Sequence, residues 1–149
     1  MAYIDRILQP GETVLHTGRM HWVVYAPGML ILFVALVVAL AASASPAILP
    51  IVAAVIALVG AAQLAAAGFE KWTTEVVVTN KRVVHKRGFI RRDTAEMNMD
   101  KVESVIVNQS LMGRLLGYGT IVVRGTGSGI EGLHHIADPL DLRSAIVVH

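Results

Sequence analysis

Cysteine is absent from the 149 residues, which excludes a disulfide framework, a thiolate nucleophile and any Cys-ligated metal. Charge is scarce: Asp, Glu, Lys and Arg make up 16% of the chain, against about 25% in an ordinary soluble domain. The scarcity is local, because between Arg19 and Glu70 there is no Asp, Glu, Lys or Arg at all. Net charge is only +2, so the chain as a whole gives no argument for nucleic-acid binding, although a pI of 9.2 leaves room for a local basic patch.

What fills the gap is apolar. A bilayer core about 30 Å thick takes roughly 20 apolar residues in a helix, and two segments of that length fit, at 22–42 and 48–69. Trp22 and Tyr25 open the first, Trp72 lies just past the second, and such aromatics belong at the membrane interface. Ser43, Ser45, Pro46 and Pro50 interrupt the run with turn formers. The sequence therefore predicts an α-helical transmembrane hairpin. A soluble helix pair would keep polar faces, and these segments have none. A cleaved signal peptide, suggested by Ala42-Ser43-Ala44, fits poorly because its apolar core spans only about 7 to 15 residues.

Arg6 and Arg19 precede the first span, Lys71, Lys81 and Arg82 follow the second, and the connecting turn has no basic residue. The positive-inside bias then predicts that both termini of a multi-pass membrane protein lie in the cytoplasm. Small residues recur every fourth position, at Ala35, Ala39 and Ser43 and at Ala53, Ala57, Ala61 and Ala65, which predicts close helix-helix packing. Gln63 is the polar side chain deep inside a span, and an amide there is expected to bridge helices rather than to line a transport path.

From Trp72 onward the pattern changes to short β-rich runs, with strands expected at 73–79, 82–87, 93–99, 103–108, 120–124 and 131–136. Residues 111–116 read as a short helix with Ser110 as its cap and Gly117 as its stop. Asp138-Pro139-Leu140-Asp141 marks the start of a final helix running to about Val147, whose Leu142, Ile146 and Val147 are placed to cover an open end of a curved sheet. The expected divisions are an N-terminal cytoplasmic segment, 1–21, the hairpin, 22–69, and a small α+β domain, 70–149.

Leu8-Gln9-Pro10-Gly11-Glu12, Val78-Thr79-Asn80-Lys81-Arg82, Gly88-Phe89-Ile90, Val102-Glu103-Ser104-Val105, Asn108-Gln109-Ser110, Arg114-Leu115-Leu116-Gly117-Tyr118-Gly119-Thr120 and Ile136-Ala137-Asp138-Pro139 occur in that order. The order resembles the bacterial pleckstrin-homology-like domain family, formerly a domain of unknown function, whose members often join a transmembrane hairpin to this domain. The resemblance implies a split or curved seven-stranded barrel capped by the C-terminal helix, in a protein of the bacterial inner membrane. It implies no reaction, and the fold hosts lipid, peptide and self-association surfaces.

Lys81, Arg82, Lys86, Arg87, Arg91 and Arg92 bring six of the 13 basic residues into one stretch after the second span. Each such residue can contribute about 1 kcal/mol at an anionic leaflet; alternatively the charges obey the topology bias and protect an edge strand. Gly127-Ser128-Gly129-Ile130-Glu131-Gly132 matches G-x-G-x-x-G in letters, but no βαβ unit follows, so a hairpin loop is expected. His134 and His135 are neighbours in a strand and point to opposite faces, and His16, His21, His85 and His149 show no ligand spacing; no metal or cofactor is expected. Ser104, Ser110 and Ser128 lie in no nucleophile motif, and Asp93, Glu96, Asp100 and Glu103 read as a solvated polar surface. The apolar Leu111, Met112, Leu115 and Leu116 are expected chiefly to pack in the core, with partner contact as the alternative.

These features predict a non-enzymatic, membrane-anchored interaction or scaffold module, with the bilayer, a second copy of the chain or another membrane protein as partner. The alternatives are an anionic-lipid sensor using the 81–92 cluster and an accessory subunit of a larger membrane complex.

Overall fold

The computed structural model describes residues 8–42, 48–87, 93–126 and 130–147. Trp22–Trp72 forms one compact unit, and the sequence on both sides of it joins to form the other.

In the first unit a 3₁₀ turn, Trp22–Tyr25, runs into α1, Ala26–Ala41, and α2 is Ile48–Thr73. Pro27 and Pro50 sit in the first turns of these helices, where a missing N–H breaks no hydrogen bond. The helical stretches of 20 and 26 residues are about 30 and 39 Å long at 1.5 Å per residue. Both are long and apolar enough to cross a membrane. Leu30, Phe33, Leu40, Ile48 and Leu58 are exposed along them.

Two glycines set the approach of the helices. A Cβ on Gly28 would lie 2.7 Å from the Leu64 side chain, and one on Gly60 would lie 2.9 Å from Leu32. Ala35 and Ala53 are buried, and with Ala39, Ala57, Leu32 and Pro50 they line an open apolar cleft of about 450 Å³. Ala61, Ala65 and Gln63 are exposed instead. The reason is rotational. Each step of four residues overshoots a turn by about 40°, so by Ala61 and Ala65 the alanine row has swung away from α1. Gly60 returns to the contact face by the shorter step of three from Ala57, and Leu64 follows it four residues later.

Among the described residues, the second unit contains seven strands in two antiparallel sheets. One has the order β1-β2-β3-β4, Val14–Gly18, Glu75–Thr79, Arg82–Arg87 and Asp93–Asn98; the other has the order β5-β6-β7, Val102–Asn108, Tyr118–Gly125 and Ile130–Ala137. Helix α3, Leu111–Leu116, joins β5 to β6, and α4, Pro139–Val147, closes the chain. The expected strands are present, but β2 begins at Glu75 because α2 continues through Thr73.

The N-terminal segment departs from the sequence expectation. Val14–Gly18 is a strand of the domain, paired with β2 through Val14↔Thr79 and Gly18↔Val76. Met20 then bridges to Ile136 of β7, the Ala137 N–H donates to the Arg19 carbonyl and the His21 N–H to that of His135. The segment thus links the two sheets. Its short, weakly alternating Val-Leu-His-Thr-Gly run gives little strand signal, and long-range pairing overrides that local weakness.

Between the sheets lie Val76, Val78, Val83 and Met97 from one side and Ile121, Val123, Leu133 and Ile136 from the other. Leu142 and Ile146 of α4 fill the same core, whereas Val147 is exposed.

The hairpin contact gives a direct test of which face of α2 meets α1. Gly60→Ile should lower the stability of the detergent-solubilised chain by about 1–3 kcal/mol through overpacking. Ala61→Ile, one position around the helix, should leave the thermal midpoint unchanged.

Candidate functional site

Glu12 is the polar centre of the domain. Its carboxylate, with no exposed side-chain surface, accepts from Arg82 Nε at 2.9 Å and from Arg82 Nη2 at 3.1 Å. It also accepts from the Thr79 hydroxyl at 2.8 Å and from the Gln9 N–H at 2.8 Å. Arg82 reaches on to Glu96 at 2.8 Å. Asn80 continues the seam, accepting from the Thr13 N–H through its side-chain oxygen at 2.9 Å and donating to the Gly11 carbonyl at 3.2 Å. The two motifs 8–12 and 78–82, about 70 residues apart in sequence, are therefore the two halves of one clasp.

Burial works against the Glu12 charge, but the Gln9 N–H, the hydrogen bonds from Arg82 and Thr79 and the Arg82 charge outweigh it, holding the carboxyl below its ordinary value. The hydrogen bond to Glu12 raises the Arg82 guanidinium against its own burial, with Glu96 assisting. The pair is ionised throughout the physiological range.

This geometry divides the basic cluster. Lys81 and Arg82 lie at the turn between β2 and β3, where Lys81 Nζ donates to the Pro10 carbonyl at 3.1 Å and Arg82 is held in the clasp. Lys86 lies opposite Glu75, about 13 Å away along the strand, at the end where the chain arrives from α2. The Arg87 backbone follows it opposite Asp93. Arg91 and Arg92 lie outside the described residues. The described members of the cluster are thus divided between the two ends of β3.

Helix α3 was expected chiefly in the core, yet Leu111 is 85% exposed, Leu115 79% and Met112 63%. The helix is nevertheless firmly built. Ser110 Oγ accepts from the Gly113 N–H at 3.0 Å, and Gly117 closes the helix at φ +76°. Gly113 faces the domain, where a Cβ would meet the Tyr118 carbonyl at 2.6 Å. Because Gly113 must lie inward, Leu111 and Leu115 are turned outward. The Tyr118 ring stacks on His21 with centroids 5.4 Å apart, and His135, at φ +54°, lies beside it at 6.0 Å.

The glycine-rich stretch joins antiparallel β6 and β7, so no βαβ unit contains it; 127–129 lie outside the described residues. Thr120 Oγ1 and His134 Nδ1 are 3.3 Å apart. Among the described residues no group of three or more His, Asp or Glu is placed to hold a metal ion.

Glu12→Gln should cost about 3 kcal/mol at neutral pH, because it leaves the Arg82 charge without its main partner. The folded-state carboxyl lies below its unfolded value, so its contribution is complete above the ordinary carboxylate range, about pH 4.3, and disappears as pH falls through the folded value. Denaturant midpoints should therefore separate the variant from the native chain at pH 7 and converge under acid conditions.

A family model described as a bacterial PH domain matches residues 25–146, from the entry to α1 to the last turns of α4. No curated protein matches the chain, and no solved structure does. With most of its length matched by that model, and with two antiparallel sheets closed by a C-terminal helix, the chain belongs to the bacterial PH domain family.

Proposed function

We propose that this chain is a membrane-anchored, non-enzymatic interaction module whose PH-like domain stands at the cytoplasmic face and binds a protein, a second copy of itself included. The observation that carries this reading is the place of the hairpin in the domain. It is inserted between β1 and β2, two strands paired with each other. His21 leads directly into Trp22, and Thr74 alone separates α2 from β2. With α1 and α2 in the bilayer, both ends of the insertion tether the domain, which raises the local concentration of domains and favours weak contacts acting together.

The cytoplasmic side follows from Arg6, Arg19 and Lys71 at the open end of the hairpin and from the absence of basic residues in its turn. An anionic-lipid role for the 81–92 stretch would not draw on Arg82, which is engaged by Glu12 and Glu96.

Because the chain has no cysteine, single substitutions report cleanly. In intact cells an impermeant maleimide should label Ser45→Cys, and should reach Ser104→Cys only after permeabilisation. In-membrane crosslinking should give a ladder of oligomers or a discrete heteromeric band. Labelling of Ser104→Cys in intact cells would contradict the orientation, and an uncrosslinked monomer at every density would contradict the interaction role.

A further inference from the structure

The feature that neither the family nor the core explains is the exposed apolar face of α3. At 100° per residue, Leu111 and Leu115 lie nearly opposite Gly113, the residue pressed against the domain, with Met112 on one flank and Arg114 on the other. Two leucines and a methionine at 85%, 79% and 63% exposure on a short, doubly capped helix form a rigid apolar projection. A soluble surface normally avoids such a projection unless something covers it.

Helix α3 rests on the Tyr118 carbonyl, which also accepts from Gln109 Nε2 at 3.1 Å, and the Tyr118 ring stacks on His21. His21 is the residue immediately before Trp22, where the first long apolar helix is entered. The projection therefore lies at the edge of the domain from which the chain departs for the hairpin. The register of β2 with β3 sets Lys86 opposite Glu75, just after α2, so a cationic strand end also lies beside a point of attachment.

Resting on the membrane-anchored reading above, we propose that α3 inserts its Leu111–Leu115 face into the headgroup and acyl boundary of the bilayer that holds the hairpin. The domain is then fixed at three places, through the two helix connections and through this wedge. A bilayer is favoured over a protein groove because it is already present within one or two residues of the tether, and an apolar face bounded by Arg114 suits the boundary between acyl chains and phosphates. The contact is apolar, so it does not require anionic lipid.

The test uses the full chain in phosphatidylcholine nanodiscs containing nitroxide-labelled lipids, with an environment-sensitive fluorophore on a single introduced cysteine. Leu115→Cys should be quenched most strongly by nitroxides near the headgroup, and Phe33→Cys on α1 by deeper ones. Ser104→Cys, on the solvent face of β5, should be unaffected. If Phe33→Cys is quenched while Leu115→Cys behaves like Ser104→Cys, the wedge is wrong and the anchored reading stands. If Phe33→Cys is unquenched too, both fall. If Leu115→Cys is shielded from an aqueous quencher, unquenched by lipid and crosslinked to a second copy, the face is a dimer contact and the proposal is overturned.

Discussion

The ion pair between Glu12 and Arg82 joins the two ends of an interrupted domain. Four hydrogen bonds, from Arg82, Thr79 and Gln9, converge on one carboxylate with no exposed side-chain surface. A buried charge is tolerated only when it is paired and its lone pairs are satisfied, so the 8–12 turn and the 79–82 turn must meet. Once they meet, β1 lies in register on β2, and the chain continues through Met20 to the edge of the second sheet. What is a separate leader in the linear sequence becomes the piece that links the two sheets.

The same constraint divides the described part of the basic run. Sequence proximity puts Lys81, Arg82, Lys86 and Arg87 together, but a hairpin separates its turn from its open end. The turn is occupied by the clasp, and Lys86 is carried to the end where α2 arrives. A charge cluster in a β-hairpin must be read through its register before it is read as a surface.

Much of the fold is legible in the sequence. The charge-free stretch from 20 to 69 specifies the two long helices, and Ser110, Gly117 and Pro139 mark the limits of α3 and α4 through elementary capping chemistry. The misses share one physical origin, tertiary contact between distant residues. Strand β1 has weak local propensity and is held by β2. Glu12 is an ordinary acidic residue until Arg82 is brought to it. Gly60 replaces Ala61 at the helix contact because the true repeat alternates steps of four and three. Leu111 and Leu115 carry a core-like composition, but Gly113 takes the inward position and leaves them outside. The candidate site was less legible than the fold, because it depends on which side of a short helix lacks a Cβ.

Residues on both sides of the hairpin belong to one compact unit and should open as one cooperative domain. Hydrogen exchange of the intact chain in nanodiscs tests it most directly, since amides of one cooperative unit open together. The ladder amides of Val14–Gly18 should exchange as slowly as those of Glu75–Thr79. Rapid exchange of Val14–Gly18, typical of a free tail, while Glu75–Thr79 stays protected would contradict the account.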